Sequence, residues 1–454
     1  MNRSLIFLPL LLVCSWALSP PCRAEDTLVT IEACMEKAIP YADAIKLAEE
    51  SLFSAEQDRL RARSVLIPSV ELTGRLSGER TDMSGASSPP DSIKEKTYAT
   101  FAGLGFQYSF YLNGRELIVY NASGVLVEKA GMDLQAARQD YMLQVAATFF
   151  GCIRSQKGLA IAEANLERLT SYQSAVKRRI EAGILTETEQ FRANAELTEG
   201  QASLTEALNQ RAVSRRALQR LVPLPDDFQL AEPNEIPTPA LLALEGCVEL
   251  AEKNRPELKA LELASRVADK EVDVAKSTYW PKLTLEGAAG RKDSSIDGSY
   301  DALDADFDQD TTHYSASLTL SLPLLDGGLR RADIRKSLSG KRSVDHRLRQ
   351  ATKEIRLAAE RAWYDHNTES QRVQALADGL VYSRQFLEAI IRQFQEGLAQ
   401  SLDLVDANTR LVEAENKLAD ARFALQLAAI RLRYTSGLPP VNLPSPPGGE
   451  STGG

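Results

Sequence analysis

The chain repeats itself at one constant offset, and that limits its fold more than any other property. Ile31-Glu32-Ala33-Cys34 returns 213 positions later as Leu244-Glu245-Gly246-Cys247. At the same spacing, Ile67-Pro68-Ser69-Val70-Glu71-Leu72 returns as Trp280-Pro281-Lys282-Leu283-Thr284-Leu285, and Asn113-Gly114-Arg115 as Asp326-Gly327-Gly328. Glu181-Ala182-Gly183 is answered by Gln395-Glu396-Gly397 at 214. An offset held over about 150 residues marks a duplicated structural unit. The segment from Pro223 to Pro239, with five prolines, reads as the joint between copies. The division expected is a signal peptide 1–24, a first repeat 25–222, a linker 223–243, a second repeat 244–437 and a Pro/Gly-rich tail 438–454.

The first 24 residues have the form of an export signal. Arg3 supplies positive charge, Leu5 to Leu18 are mostly apolar, and Cys22-Arg23-Ala24 places small residues for cleavage after Ala24. No later stretch reaches the roughly 20 apolar residues of a spanning helix. A periplasmic, secreted, lipid-anchored or β-barrel protein remains. Ser19-Pro20-Pro21 before Cys22 fits a lipid-anchor signal poorly. The odd set Cys34, Cys152 and Cys247 excludes a fully paired intrachain framework and suits small buried apolar residues. A bond between Cys34 and Cys247, which occupy equivalent repeat positions, stays open. With three histidines and no ligand-like spacing, no metal or cofactor is expected. The formal charge is −9 and no basic patch is evident, which argues against nucleic acid as a partner.

Each copy reads as a helix, two strands and two long helices. Tyr314, Ala316, Leu318, Leu320 and Leu322 alternate with Ser315, Ser317, Thr319 and Ser321, the period-two pattern of a strand with one apolar face. Val70, Leu72 and Leu76, and the aromatic-rich Tyr98, Leu104, Phe106, Tyr108 and Phe110, define two more. The strand from Lys282 to Arg291 is weakest, because Gly287 and Ala289 dilute its apolar face. Strands of about ten residues with this patterning suit a membrane barrel and a soluble sandwich equally well. From Gly114 to about Ile180, and from Leu329 to Glu396, no proline interrupts a helix-favouring composition. Each such helix is roughly 100 Å long. The return helices carry heptads: Leu404, Leu411, Leu418, Leu425 and Leu432 beside Ala407, Ala414, Ala421 and Ala428, answered by Ala193, Gly200, Ala207 and Ser214. A seven-residue repeat with small seam residues gives close-packed, left-handed coiled-coil hairpins.

Four strands cannot close a barrel, and an open sheet in lipid leaves edge groups unpaired. Three chains supply twelve strands and twelve helical lengths. The fold class is therefore mainly α with membrane β: coiled-coil hairpins forming an α-barrel, continued by a trimeric 12-stranded β-barrel. Pro68 and Pro281 mark the helix-to-strand junctions, and Gly114 and Gly327 the strand-to-helix ones.

Three motifs tie this architecture to a family. Gly397-Leu-Ala-Gln-Ser-Leu-Asp403-Leu-Val-Asp406-Ala407 resembles the hairpin-tip motif of TolC-type outer-membrane efflux proteins. Asn254-Arg-Pro256-Glu257-Leu258 is similar to that family's Asn-x-Pro-Glu-Leu signature, and Pro323-Leu-Leu-Asp326-Gly327-Gly328 to its strand-exit motif. The match spans roughly Leu28 to Gly437. It implies a homotrimeric, non-enzymatic exit duct in the outer membrane, reaching into the periplasm. Its partners would be outer-membrane lipid, a periplasmic adaptor protein and an inner-membrane pump. Asp403 and Asp406 would ring a periplasmic aperture, and the tips at Gly183 and Gly397 would meet the adaptor. In the first copy Glu189 and Arg192 stand where the aspartates would be, so the network cannot be carried over whole; Arg192 is a candidate partner for Asp403 or Asp406.

Residues 293 to 310 hold seven aspartates and read as an acidic surface loop. A calcium loop is disfavoured, since Gln309 and Ser315 stand where the EF-hand needs Gly and Glu. The alternative function is a periplasmic coiled-coil adaptor or scaffold. That class needs a compact β-domain, for which the strands are too few.

Overall fold

The computed structural model describes residues 28–84, 92–232, 243–300 and 303–440. The signal segment with Cys22, the later part of the joint and residues 441–454 of the tail lie outside them. Among the described residues, α1 (Ile31–Tyr41), α2 (Asp43–Ser64), β1 (Ser69–Ser84), β2 (Ser92–Tyr111), α3 (Arg115–Glu181) and α4 (Glu187–Leu221) form one series. The second is α5 (Leu244–Asn254), α6 (Pro256–Ser277), β3 (Lys282–Tyr300), β4 (Leu303–Ser321), α7 (Leu329–Gln395) and α8 (Ser401–Thr435). Helix lengths match in pairs at 11, 22, 67 and 35 residues.

One helix was expected before each strand pair, and there are two. Ala42, in extended backbone, ends α1 and starts α2. Arg255 does the same between α5 and α6, with Pro256 as the first helical residue. Proline there loses no hydrogen bond, and it disfavours helical backbone in the residue before it.

The strands form one antiparallel sheet in the order β1-β2-β3-β4. The register aligns Val70, Phe106, Gly287 and Ala316 in one row and Leu72, Leu104, Ala289 and Tyr314 in the next. These residues share the apolar face with Leu283, Leu285, Leu318 and Leu320. Leu76 and Tyr314 are 86% and 78% exposed, as a lipid-facing surface requires. The opposite face carries Glu71, Thr73, Gln107, Ser109, Thr284, Glu286, Ser317 and Thr319, tied by Gln107 Nε2 donating to Glu286 at 2.9 Å.

The strands run 16 to 20 residues, not about ten. A tilted membrane strand needs only about 9–11, so the sheet continues past the lipid layer. The acidic loop expected at 293–310 is largely strand: Asp293 opposes Asp310, and Ser295 opposes Asp308. Leu303, Ala305 and Phe307 alternate there with Asp304, Asp306 and Asp308, and Phe307 faces Ile296 across the ladder, so a period-two signal is present beneath the run of aspartates. Arg291 marks the change, donating from Nε to Asp310 at 2.9 Å and to Asp293 at 3.3 Å.

Below the sheet, Leu411, Leu418, Leu432, Ala407, Ala421 and Ala428 are buried in the α8 seam, as are Ala193, Gly200 and Leu218 in α4. A core centred on Phe149 and Phe150 joins α1, α3 and α4 to the first part of the joint through Phe228 and Leu230. Val29 and Leu230 form a parallel bridge, and Arg215 donates to the carbonyls of Asp226 and Phe228 at 2.6 and 2.9 Å. This stretch is packed down as part of a belt around the helices. Among the described residues, Cys34, Cys152 and Cys247 are buried and form no disulfide. Cys34 and Cys152 share this core while Cys247 packs with Ala362 and Leu432, so no Cys34–Cys247 bond forms. Burial pushes the Cys34 thiol up to about 12, which keeps it an inert packing residue.

Gly287, which weakens the sequence signal of β3, has a structural reason. A Cβ there would lie 2.1 Å from Phe106 Cε1, because that ring covers the glycine across the strands. Gly287→Val is expected to displace Phe106 and cost about 1–3 kcal/mol. The check is a lower temperature for heat dissociation of the assembled barrel in detergent, with Ala316→Val as the uncrowded control.

Candidate functional site

The long hairpins end in two matching turns. Gly183 and Gly397 both have left-handed backbone, at φ 72° and 78°. Each closes its helix: Ile184 N–H donates to Arg179 at 2.8 Å, and Leu398 N–H to Gln393 at 2.8 Å. Glycine is favoured because a side chain in this conformation crowds the following carbonyl. At the far ends, Gly114 and Gly327 also have positive φ, 72° and 64°, and turn the chain from strand into helix. Asp326 caps α7 there, accepting from the N–H groups of Gly328 and Arg330 at 3.0 and 3.1 Å. The Arg330 side chain beside it holds its carboxyl below the usual range. Pro68 lies between α2 and β1, and the Pro281 carbonyl accepts from Leu112 N–H at 3.1 Å across the two copies.

Asp403 and Asp406 sit in the first turns of α8 at the tip, and each has a local partner. The Asp403 carboxylate accepts from Gln400 N–H at 2.9 Å, capping its own helix. Asp406 pairs with Arg410 at 3.0 Å, one turn on. Both side chains of that pair are more than half exposed, so the pair itself adds little stability. Arg192 does not reach either aspartate within the protomer; it pairs with Glu189 at 3.3 Å. The i,i+3 spacing on one helix makes that contact local.

The sequence did not reveal how the two hairpins are held together. Arg154 forks onto Asp420 at 2.5 and 2.9 Å. Arg168 donates to Asn408 at 3.0 Å and reaches Glu415 at 3.4 Å, while Asn408 donates to Asn165 at 2.8 Å. Nearest the tip, Arg179 donates to the Gln395 carbonyl at 2.9 Å and lies over the Phe394 ring at 4.2 Å. Phe394 in turn packs in a buried cluster with Tyr172, Val176 and Ala193. Burial pushes the Tyr172 hydroxyl up. A cavity of about 610 Å³ lies between the hairpins, lined by Tyr172, Arg178, Leu387, Ile391 and Phe394. The periodicity of cations on α3 and acids on α8 would have been the signal, but neither stands out without knowing which helices adjoin.

Strands with one apolar face, continued by long helical hairpins, have the form of an outer-membrane channel subunit. The chain matches the family model described as outer membrane efflux protein over residues 36–222 and 247–438, and it belongs to that family. The alkaline protease secretion protein AprF of Pseudomonas aeruginosa is 22% identical over 402 residues, covering 85% of this chain and 79% of AprF. The outer membrane protein TolC of Vibrio cholerae is 22% identical, covering 83% of each. The solved structure of CusC superposes with a TM-score of 0.77 at 15% identity, covering 90% of this chain and 92% of that one. VceC of Vibrio cholerae gives 0.72 at 16%, covering 90% and 96%. The protein is an outer-membrane exit duct with a periplasmic extension.

Gly183→Ala forces a Cβ into left-handed backbone at roughly 1–2 kcal/mol. The strain is local, so hydrogen exchange should quicken at the tip, around Ile180 to Glu189, with global melting unchanged.

Proposed function

We propose that three copies of this chain form a duct that takes substrate from a periplasmic adaptor and an inner-membrane pump and delivers it outside unchanged. The observation that carries this is the sheet: one apolar face, one polar face and two open edges, at β1 and β4. Edge groups left unpaired in lipid cost several kcal/mol each. Three sheets of four strands satisfy them by pairing β4 of one copy with β1 of the next. Outer-membrane material should give a native mass of three protomers; a monomer would sink the proposal.

The aperture is assigned to the tips. Asp403 and Asp406 of three chains make two rings of carboxylates that attract cations to the opening. The Arg179–Phe394–Gln395 contact holds the second hairpin against the first and keeps the rings narrow. The groove between the hairpins beside Gly183 and Gly397 is the surface offered to an adaptor. Asp403→Ala with Asp406→Ala should lower cation selectivity in planar bilayers. Arg179→Ala should raise single-channel conductance while leaving selectivity in place. If the aspartate variant conducts with wild-type selectivity, the aperture lies elsewhere.

A further inference from the structure

The upper part of α7, just below the sheet, runs against the acidic balance of the chain. Between Arg330 and Arg356 it holds ten Lys or Arg and three Asp or Glu. Four of the arginines, Arg335, Arg342, Arg349 and Arg356, fall at seven-residue spacing, and all are exposed. In a helix wound into a left-handed supercoil, a seven-residue repeat stays on one line along the axis. The charges are therefore stacked about 10 Å apart, from about 10 to about 40 Å below the strand–helix junction. No basic patch showed in the sequence because other residues separate the four.

The line lies on the outside of the tube. Its next heptad position is Trp363, packed in the cluster that holds Cys247 of α5, and Arg356 itself pairs with Glu252 of α5 at 3.2 Å. The α5 side is therefore the side of the line. A ring of twelve helices leaves a bore on the order of 30 Å, which three inward belts would close, so α5 lies outside. The flank turned to the next protomer is different: Leu357 and Tyr364, one residue further round, are 64% and 55% exposed apolar side chains. The α6 flank carries Lys341, paired with Asp269, and Asp345, which accepts from Ser265. Among the described residues Arg335 and Arg342 have no side-chain partner, and Arg349 donates only to His346 Nδ1 at 2.9 Å.

We infer that this line docks the duct to a carboxylate-bearing polymer network of the periplasm, the peptide cross-linked cell-wall sacculus. Guanidinium forks match carboxylates in pairs. A network surrounding the tube presents carboxylates at several heights, as a line parallel to the axis requires. A membrane surface is perpendicular to the line and meets only its upper end.

The test uses the mature protein in detergent, sedimented with purified sacculi at low salt. Wild type should bind, and amidation of the sacculus carboxylates should abolish binding. R335Q/R342Q/R349Q should bind at least tenfold less, with R335K/R342K/R349K between the two. Equal binding to native and amidated sacculi, or equal binding by the glutamine variant, overturns the assignment. Binding to phosphatidylglycerol vesicles without binding to sacculi also overturns it. So does dissociation of the glutamine variant, read by native mass, which would place these arginines at the subunit contact. The inference rests on the closed tube proposed above. A monomeric wild type fails that proposal, whereas a trimer indifferent to sacculi fails only this one.

Discussion

Two unpaired sheet edges govern this molecule. β1 and β4 each present a row of N–H and C=O groups with no partner in their own chain. Water can serve such groups, and hydrocarbon cannot. The apolar face made by Val70, Leu72, Leu104, Phe106, Leu285 and Leu318 places part of each edge in lipid. Assembly is thus a condition of the fold in its membrane, and the helices below inherit the same ring. Their flanks show it: Leu357 and Tyr364 of α7, like Leu47 and Leu60 of α2, are exposed apolar residues on helices that bury few of their own side chains within one chain.

The long helices solve a second problem, which is to be stiff without a thick core. A wall one helix deep has a bore side and an outer side, so only its flanks can be buried. Alanine, glycine and serine in the α4 and α8 seams bring neighbouring axes close, and leucines fill the alternate layer. At Gly200 a Cβ would meet Leu169 Cδ1 at 2.7 Å, a measure of how tight the approach is. Among the described residues, the wall is thickened where α1, α5 and the first part of the joint pack against it. Arg255 is the second copy's tie there, donating to the Tyr434 carbonyl at 3.0 Å and pairing with Glu257 at 2.7 Å.

Much of this was legible because periodicity reports which faces are covered. The constant 213-residue offset, the proline-free runs and the heptads on α8 gave helices whose ends fall within a residue or two of those observed. The strands were legible only where one face is apolar. Beyond Arg291 the aspartates dominate and the stretch looked like a loop, although Leu303, Ala305 and Phe307 alternate with them and backbone pairing continues to Tyr300. At the tip, Gly183 and Gly397 could be placed because positive φ selects glycine. The partners of Asp403, Asp406 and Arg192 could not, because a charged side chain is satisfied by whatever neighbour the fold brings near. The links across hairpins, from Arg154 to Asp420 and from Arg168 to Asn408, are 266 and 240 residues apart in sequence. No local pattern encodes such a pair.

Duplication explains the symmetry of the wall, and divergence explains how its two hairpins come to differ. The backbones of α3–α4 and α7–α8 match in length, so both copies reach the same depth in the periplasm. Their tips differ in charge: the first has Glu189 and Arg192 paired to each other, while the second has Asp403 capping its helix and Asp406 held by Arg410. The ties between them run from arginines of α3 to acceptors at the end of α7 and on α8. Each such tie is partly exposed and individually weak. On the proposed assignment of the aperture to the tips, several weak ties and the contact of Arg179 with Phe394 would let the tip be released in steps without disturbing the seams of each hairpin. The seams within a hairpin are mainly apolar, whereas the contacts between hairpins combine these polar ties with the buried Phe394 cluster.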